Sequence, residues 1–270
     1  MKKIIIALLC LLMAAAVFAG GNKDKNQGDD KSLQTVIGAK KLIMGLDDSF
    51  PPMGYRNEKN EIVGYDVDLA KEVAKRLGVE LVLQPIDWAA KELELNTRQI
   101  DCIWNGFTIT EERQKNLCFT PAYLKNAQVI VVKTNSAVMA MADLAGKKAG
   151  TQAGSASIEA LDGAPEFKAS LREIIEYKDF LTALMDLDVG GTDAVIIDLV
   201  VANDNINRSG RPFRILNERL DEEEFGIGFR KNDKALADRV WAILLDMRKD
   251  GTVAAITTKW LGADISVIGN

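Results

Sequence analysis

The sequence predicts an α/β protein of two similar units, and three observations carry that prediction. From about residue 40, short apolar strand-like runs alternate with amphipathic helical stretches, the grammar of a mostly parallel sheet covered by helices. After a long apolar run, Ala127-Gln-Val-Ile-Val-Val132, the same alternation starts again. At 270 residues the chain also exceeds the commonest size of a single domain.

The N-terminus opens with Lys2 and Lys3, continues as an apolar run from Ile4 to Ala19 and then turns abruptly polar. A run this short with a basic start reads as a cleaved signal peptide, residues 1–19, rather than a membrane span, and Val17-Phe-Ala19 fits the small-residue cleavage rule. Cys10 lies inside the run after Ala-Leu-Leu, a poor site for lipid attachment. Residues 20–38, polar and glycine-rich at their start, are expected to be a flexible tether.

In the first unit, strands are expected at Lys41–Gly45, Val79–Pro85 and Ile100–Trp104, and helices at Asp66–Leu77 and Ala89–Arg98. Leu69, Val73 and Leu77 share one helical face, which Gly78 ends. In the second unit, Lys147–Thr151 leads into a helix near Ser157. Strand Glu173–Tyr177, helix Phe180–Leu187 and buried strand Asp193–Ile197 follow. Two further apolar segments, Phe213–Leu216 and Phe225–Phe229, precede an amphipathic helix from Asp233 to Lys249, closed by Gly251, and a shorter helix ending at Trp260-Leu-Gly262.

Composition removes several function classes. The chain has no histidine, which excludes Ser-His-Asp and Cys-His nucleophilic sites and histidine metal centres, and lowers the odds of an enzyme. Its formal net charge is −5, and loss of Lys2 and Lys3 makes it more negative, so no nucleic-acid footprint is expected. Cys102 and Cys118 have no metal-ligand spacing; a disulfide and two separate buried thiols both remain open. No cofactor or metal is implied.

Ligands of α/β sheets bind at the carboxyl ends of strands, so side chains there carry the functional argument. Asp101 to Arg113 runs from an apolar strand into a polar turn holding Asn105, Gly106 and Thr108. Thr108-Ile-Thr-Glu111 reads as a capping box, placing a helix start beside the turn, and Arg113 supplies a planar fork for a carboxylate. The competing reading is a surface arginine on an amphipathic helix. Asp47-Asp-Ser-Phe-Pro-Pro-Met53 holds Phe50 on a proline-stiffened loop, as a stacking face or as a core staple. Core packing is the favoured reading for Trp88 and Trp104. Gly150-Thr-Gln-Ala-Gly-Ser-Ala-Ser157 is a second strand-to-helix turn with anion-binding character, and lacks the Gly-Lys-Ser/Thr of a P-loop. Asp198, directly after Ala194-Val-Ile-Ile197, either caps the next helix or receives an ammonium. Arg113 and Asp198 together describe a clamp for a zwitterion.

With these residues in view, the sequence resembles the polar-amino-acid solute-binding proteins of bacterial ABC importers, relatives of the histidine-, glutamine- and arginine-binding proteins. The matching segments are Phe50-Pro-Pro-Met53, Gly64-Tyr-Asp-Val-Asp-Leu-Ala70, Ile100 to Arg113, Gly154-Ser155, Asp193 to Asp198 and Asp250-Gly-Thr252, in the family's order. The resemblance implies a type II periplasmic-binding-protein clamshell, each lobe a mixed, mostly parallel sheet flanked by helices. Lobe 1 would comprise residues 39–132 and 228–270, lobe 2 residues 133–227, with crossings near Val132-Lys133 and Gly226–Gly228. It implies that Arg113 binds an α-carboxylate, assisted at Thr108, Ser155 and Ala156, and that Asp198 and the Gly106 carbonyl bind the α-ammonium. Asp47, Phe50, Trp88, Asn105 and Gln152 match positions that read the ligand side chain. They include no base, so a polar or basic amino acid is expected rather than an acidic one.

The chain departs from the family at Leu199, where many members carry Glu, and at Ala156, where the usual turn has a second threonine; only the Ala156 amide remains as donor. The implied partners are a free amino acid and membrane permease subunits, with the protein a periplasmic monomer. A dehydratase-like enzyme on the same fold and a sensory amino-acid-binding module are the alternatives.

Overall fold

The computed structural model of the protein describes residues 30–270. The expected signal peptide, Cys10 and residues 20–29 of the expected tether lie outside the described residues. Ser32–Ala39 form helix α1, so the reading of a tether out to residue 38 is corrected. Leu33 and Val36, three residues apart, share the face that packs on the core, and the Ser32 hydroxyl accepts a hydrogen bond from the Leu236 amide.

Strand β1 (Lys41–Leu46) is followed by a small antiparallel sheet of β2 (Ser49–Phe50), β3 (Gly54–Arg56) and β4 (Ile62–Val63). Helix α2 (Tyr65–Leu77) and β5 (Glu80–Pro85) come next. A short 3-10 turn at Trp88–Ala90 then leads through α3 (Lys91–Asn96) to β6 (Cys102–Thr108). Helix α4 (Glu111–Asn116), β7 (Leu117–Phe119) and the long β8 (Leu124–Lys133) close the first run. The second run holds β9 (Lys148–Gln152), α5 (Ala156–Gly163), α6 (Pro165–Ser170), β10 (Glu173–Tyr177), α7 (Phe180–Val189), β11 (Ala194–Asp198) and α8 (Leu199–Ser209). Strand β12 (Phe213–Arg230) returns the chain to α9 (Lys234–Lys249) and α10 (Thr252–Leu261).

The main sheet runs β10-β9-β11-β8-β12-β6-β1-β5, with β7 also on β12. Its two ends, β5-β1-β6 and β10-β9-β11, are parallel, and β8 and β12 join them through antiparallel pairs. Strand periodicity fixes which face each side chain takes. Leu42, Met44, Trp104, Val129, Val131, Val195 and Ile197 belong to one core that includes the buried faces of α2, α7 and α9. Their alternates go to the other face, where Ile130, Val132, Ala194 and Ile196 form one cluster and Ile103, Phe107 and Trp88 another. Trp104 is thus a core residue, as favoured from the sequence.

Three local expectations change. Strand β6 does not stop at Trp104 but continues through the polar segment to Thr108, because Gly106 takes φ +56° and kinks the strand without ending it. The expected capping box therefore cannot form: α4 begins at Glu111, capped by Thr110, whose hydroxyl accepts from the Arg113 amide. The two apolar segments expected at 213–216 and 225–229 are the ends of one strand, β12, with register shifts between Ile215 and Asp221. Cys102 and Cys118 are both free. Gly228 of β12 pairs with Ile103 on one edge and Phe119 on the other, so a whole strand separates the two thiols, about 10 Å by strand spacing and too far to bridge.

Candidate functional site

The carboxyl ends of β1, β6, β9, β10 and β11 meet around one small cavity. From the β1–β6 side it is lined by Phe50, Trp88, Gly106, Thr108 and Arg113, and from the β9–β11 side by Gln152, Ser155, Ala156 and Asp198. Nine of the eleven residues expected at the site therefore line one cavity. The other two stand behind it. Asp47 accepts from the Gln152 side chain at 2.7 Å, and the Asp47 amide donates to the Asn105 side chain at 3.0 Å.

Arg113 is not a surface arginine: it is 5% exposed. One guanidinium nitrogen donates to the Thr108 carbonyl at 2.9 Å, and the group lies over the Phe107 ring, 4.7 Å from its centre. Its charged partner is Glu159, on α5 across the cavity, at 3.2 Å and with a side chain 38% exposed. Burial pushes the guanidinium pKa down and the Glu159 carboxylate opposes that. An arginine keeps its proton regardless, so the fork presents a permanent positive charge to the cavity.

Asp198 holds the N-cap position of α8, yet its side chain makes no capping bond. Asn126 takes over that task, its Oδ1 accepting from the Val200 amide at 3.2 Å. The Asp198 carboxylate accepts from Asn126 at 2.7 Å and from Gln128 at 3.1 Å. Both amides also donate to Glu223, and Ser157 donates to the Gln128 oxygen at 2.6 Å, which fixes the orientation of that side chain. Two carboxylates thus share one set of neutral donors. Burial first, and the neighbouring Glu223 second, push the Asp198 carboxyl well above its ordinary range, while Asn126 pulls it back.

The side-chain end of the cavity is aromatic and polar. The rings of Phe50, from β2, and Phe180, from the start of α7, sit 5.9 Å apart, and Trp88 meets Phe107 edge-on at 5.7 Å. Phe50 lines the cavity and also belongs to the main core. Burial pushes the Asp47 carboxyl up to about 6 against the Ser49 amide and Gln152, which favour its charge. Lys91, 5% exposed, donates across the cavity rim to the Gly154 carbonyl at 2.8 Å. Burial, aided by Arg113, pushes its ammonium down to about 8. The turn that carries Ser155 is held by its hydroxyl donating to the Gln152 carbonyl at 2.7 Å and by Gly154 at φ +68°. Among the described residues no cluster has the make-up of a metal site.

Sequence reasoning missed Phe180, Glu223 and Lys91. Phe180 follows the end of β10, the same topological position that singled out Ser155 and Asp198. Glu223 sits in the run Asp221-Glu-Glu-Glu224, which reads as solvated; its spacing of two from buried Phe225 and Ile227 is the signal that it faces inward. Lys91 carries no such signal.

The family model for bacterial extracellular solute-binding proteins, family 3, matches residues 42–263. The L-cystine-binding protein TcyJ of Escherichia coli K12 is 31% identical over 263 residues, covering 94% of this chain and 95% of that protein. The arginine-binding extracellular protein ArtP of Bacillus subtilis is 31% identical over 96% of this chain and 98% of its own. A Streptococcus pneumoniae ABC uptake transporter substrate-binding protein, solved with bound histidine, superposes with a TM-score of 0.86 at 34% identity, over 88% of this chain and 99% of that one. The fold is the two-lobed type II clamshell of periplasmic binding proteins. The chain belongs to the bacterial extracellular solute-binding proteins of family 3.

Proposed function

We propose that the protein captures a free polar or basic L-amino acid between its two lobes and delivers it to the membrane permease of an ABC importer. One observation carries the reading: a buried guanidinium and a buried carboxylate face the same cavity from opposite sides, and neither neutralises the other. In this reading Arg113 holds the α-carboxylate, with the Thr108, Ser155 and Ala156 positions beside it. Asp198 and the Gly106 carbonyl hold the α-ammonium. Phe50, Trp88 and Phe180 enclose the side chain, and Asp47 with Gln152 and Asn105 forms the polar end.

A cationic side chain fits that end because Asp47 is the one ionisable residue of those three. The adjoining cavity mouth adds acids from three segments, Glu111, Glu159 and Asp221 to Glu223. The names of the relatives, arginine, histidine and cystine binders, favour the same ligand range.

In this reading lobe 1 comprises residues 39–132 with 228–270 and lobe 2 residues 133–227. Strand pairing favours a hinge a few residues inside those bounds, where Asn126–Gln128 of β8 face Asp221–Glu223 of β12. Ligand binds the open form on the Arg113 side; rotation about β8 and β12 then brings Asp198 and the Ser155 turn onto it. The protein acts as a monomeric binder without turnover, outside the cytoplasmic membrane after loss of its signal peptide. Among the described residues no helix is long and apolar enough to cross a membrane.

The test is a thermal-shift panel of the twenty amino acids on the mature protein, followed by a product assay with a cyclohexadienyl substrate. Arginine, histidine or another polar amino acid should raise the melting temperature, since only the native state binds it, and no product should form. A panel without any shift overturns the reading, and turnover replaces it with an enzyme.

A further inference from the structure

The segment Gly64-Tyr-Asp-Val-Asp-Leu-Ala70 contributes nothing to the cavity wall, yet it places a fully buried carboxylate directly behind it. Asp66, in the first turn of α2, is 0% exposed. Its Oδ2 accepts from the Gly106 amide at 2.7 Å and from the Tyr123 hydroxyl at 2.9 Å, and Tyr123 also accepts from Gly106 at 3.2 Å. The partners are neutral donors. The same helical turn holds the Phe50 loop through its backbone, Tyr65 N–H to the Pro52 carbonyl and Asp66 N–H to the Met53 carbonyl. Asp66 therefore ties together the two segments that bring Phe50 and Gly106 to the cavity.

Gly106 is the point where this matters. Its φ of +56° turns the following carbonyl out of the regular strand direction, and a methyl group on its Cα would stand 2.8 Å from the Phe50 ring. A backbone kink inside a seven-residue buried strand needs something to hold it, and the held atom here is the amide that Asp66 accepts. A carboxylate accepting a backbone N–H is among the stronger hydrogen bonds available.

We propose that Asp66 is a positioning residue for the ligand ammonium: it fixes the Gly106 turn whose carbonyl meets that group, and it sets a negative charge behind the turn. The inference rests on the amino-acid reading given above. Burial pushes the Asp66 carboxyl up to about 7 against the pull of Gly106, Tyr123 and Trp104, so the arrival of an ammonium in front of it favours its ionised form.

The experiment compares Asp66→Asn with the unaltered protein on paired probes that differ only in the α-ammonium. These are L-arginine with 5-guanidinopentanoate and L-histidine with 3-(imidazol-4-yl)propanoate, titrated to millimolar concentration by tryptophan fluorescence. Asparagine keeps the shape and one acceptor but removes the charge. The amino acid should lose about tenfold or more in affinity, the size of a charged hydrogen bond, while its ammonium-free partner changes less than about threefold. Equal losses on both probes would show a merely structural role and overturn the inference, as would no loss on either. Should Asp66→Asn fail to fold, Tyr123→Phe decides alone, with the same asymmetry at about two- to threefold expected and its absence fatal. If the unaltered protein binds neither, the probes become whichever amino acid raises its melting temperature and the same molecule without the α-ammonium; failure to bind any of the twenty defeats the amino-acid reading itself, and the inference with it.

Discussion

The two sides of the cavity hold buried charge in opposite ways. On the β6 side Arg113 has a carbonyl, an aromatic face and a half-exposed carboxylate reaching over from α5. On the β11 side Asp198 has two neutral amides and a second carboxylate, Glu223, with no cation among its hydrogen-bond partners. Buried charges are ordinarily paired because an isolated one is costly to desolvate. The fold brings both to one cavity, Asp198 without a cation among its hydrogen-bond partners and Arg113 with only the partly exposed Glu159, and a zwitterion would give each a buried counter-charge. The difference between them is permanence. A guanidinium stays charged at any working pH, whereas Asp198 is held in a setting that favours its proton. Under the proposed function the carboxylate-binding end is therefore always armed, and the ammonium-binding end becomes charged when a cation arrives.

The largest expected effect is on the permanent side. Arg113→Ala should weaken amino-acid binding by about 2–5 kcal/mol, roughly 30- to several-thousand-fold, because it leaves a desolvated carboxylate without its anchor. Calorimetry giving an unchanged affinity would break the comparison at its stronger end. Asp198→Asn should cost less, about 1.5–3 kcal/mol in affinity. It should also raise the melting temperature of the ligand-free protein, since it removes the like-charge contact with Glu223 while keeping the hydrogen-bonding shape. A variant that lost binding and stability together would mean that Asp198 is a structural acid rather than one held in readiness.

This pairing was legible in the sequence for the residues that end strands. Asp198 and the Ser155 turn follow apolar runs whose period is plain, and Arg113 follows the longest polar interruption of one. Their topological position marked them, and the types of Arg113 and Asp198 gave the reading of a clamp. What could not be read was how each is held. The capping box at Thr108 failed because a single positive φ at Gly106 carried the strand two residues further, and Asp66, 40 residues away, supports that φ. Asp198 could not be told from a helix cap because its replacement as cap, Asn126, comes from another strand. Glu223 was hidden in an acidic run whose inward face appears only once β12 is known to be one strand of eighteen residues. Helix α1 was lost for a simpler reason: polar composition before Ser32 outweighed two apolar residues at helical spacing after it. Local periodicity gives the elements, and the contacts that tune charge are long-range.

The smallest and most discriminating effect is on pH dependence. The Asp47 and Asp66 carboxyls, raised to about 6 and about 7 from an ordinary 3.8, keep protons in the folded state that the unfolded chain has already released. Their contribution to ligand-free stability is thus fully present below about pH 4 and is lost as pH rises through 6 and 7, about 2–4 °C in melting temperature per kcal/mol at this chain length. Asp198 has the same sign without ligand and the opposite sign with it, because an ammonium selects the ionised carboxylate and expels the proton. Affinity should therefore climb with pH as Asp66 loses its proton near 7 and as Asp198 is ionised in the empty site, and level off beyond. Glu223→Gln removes the like charge that helps to hold that proton, so the climb should move to lower pH and the variant should bind more tightly than the unaltered protein near pH 5.5. Calorimetric titrations at half-unit steps from pH 5 to 8 read this directly. A profile that Glu223→Gln leaves in place would mean that desolvation alone sets the charge of Asp198, and that the second carboxylate serves the cavity mouth instead.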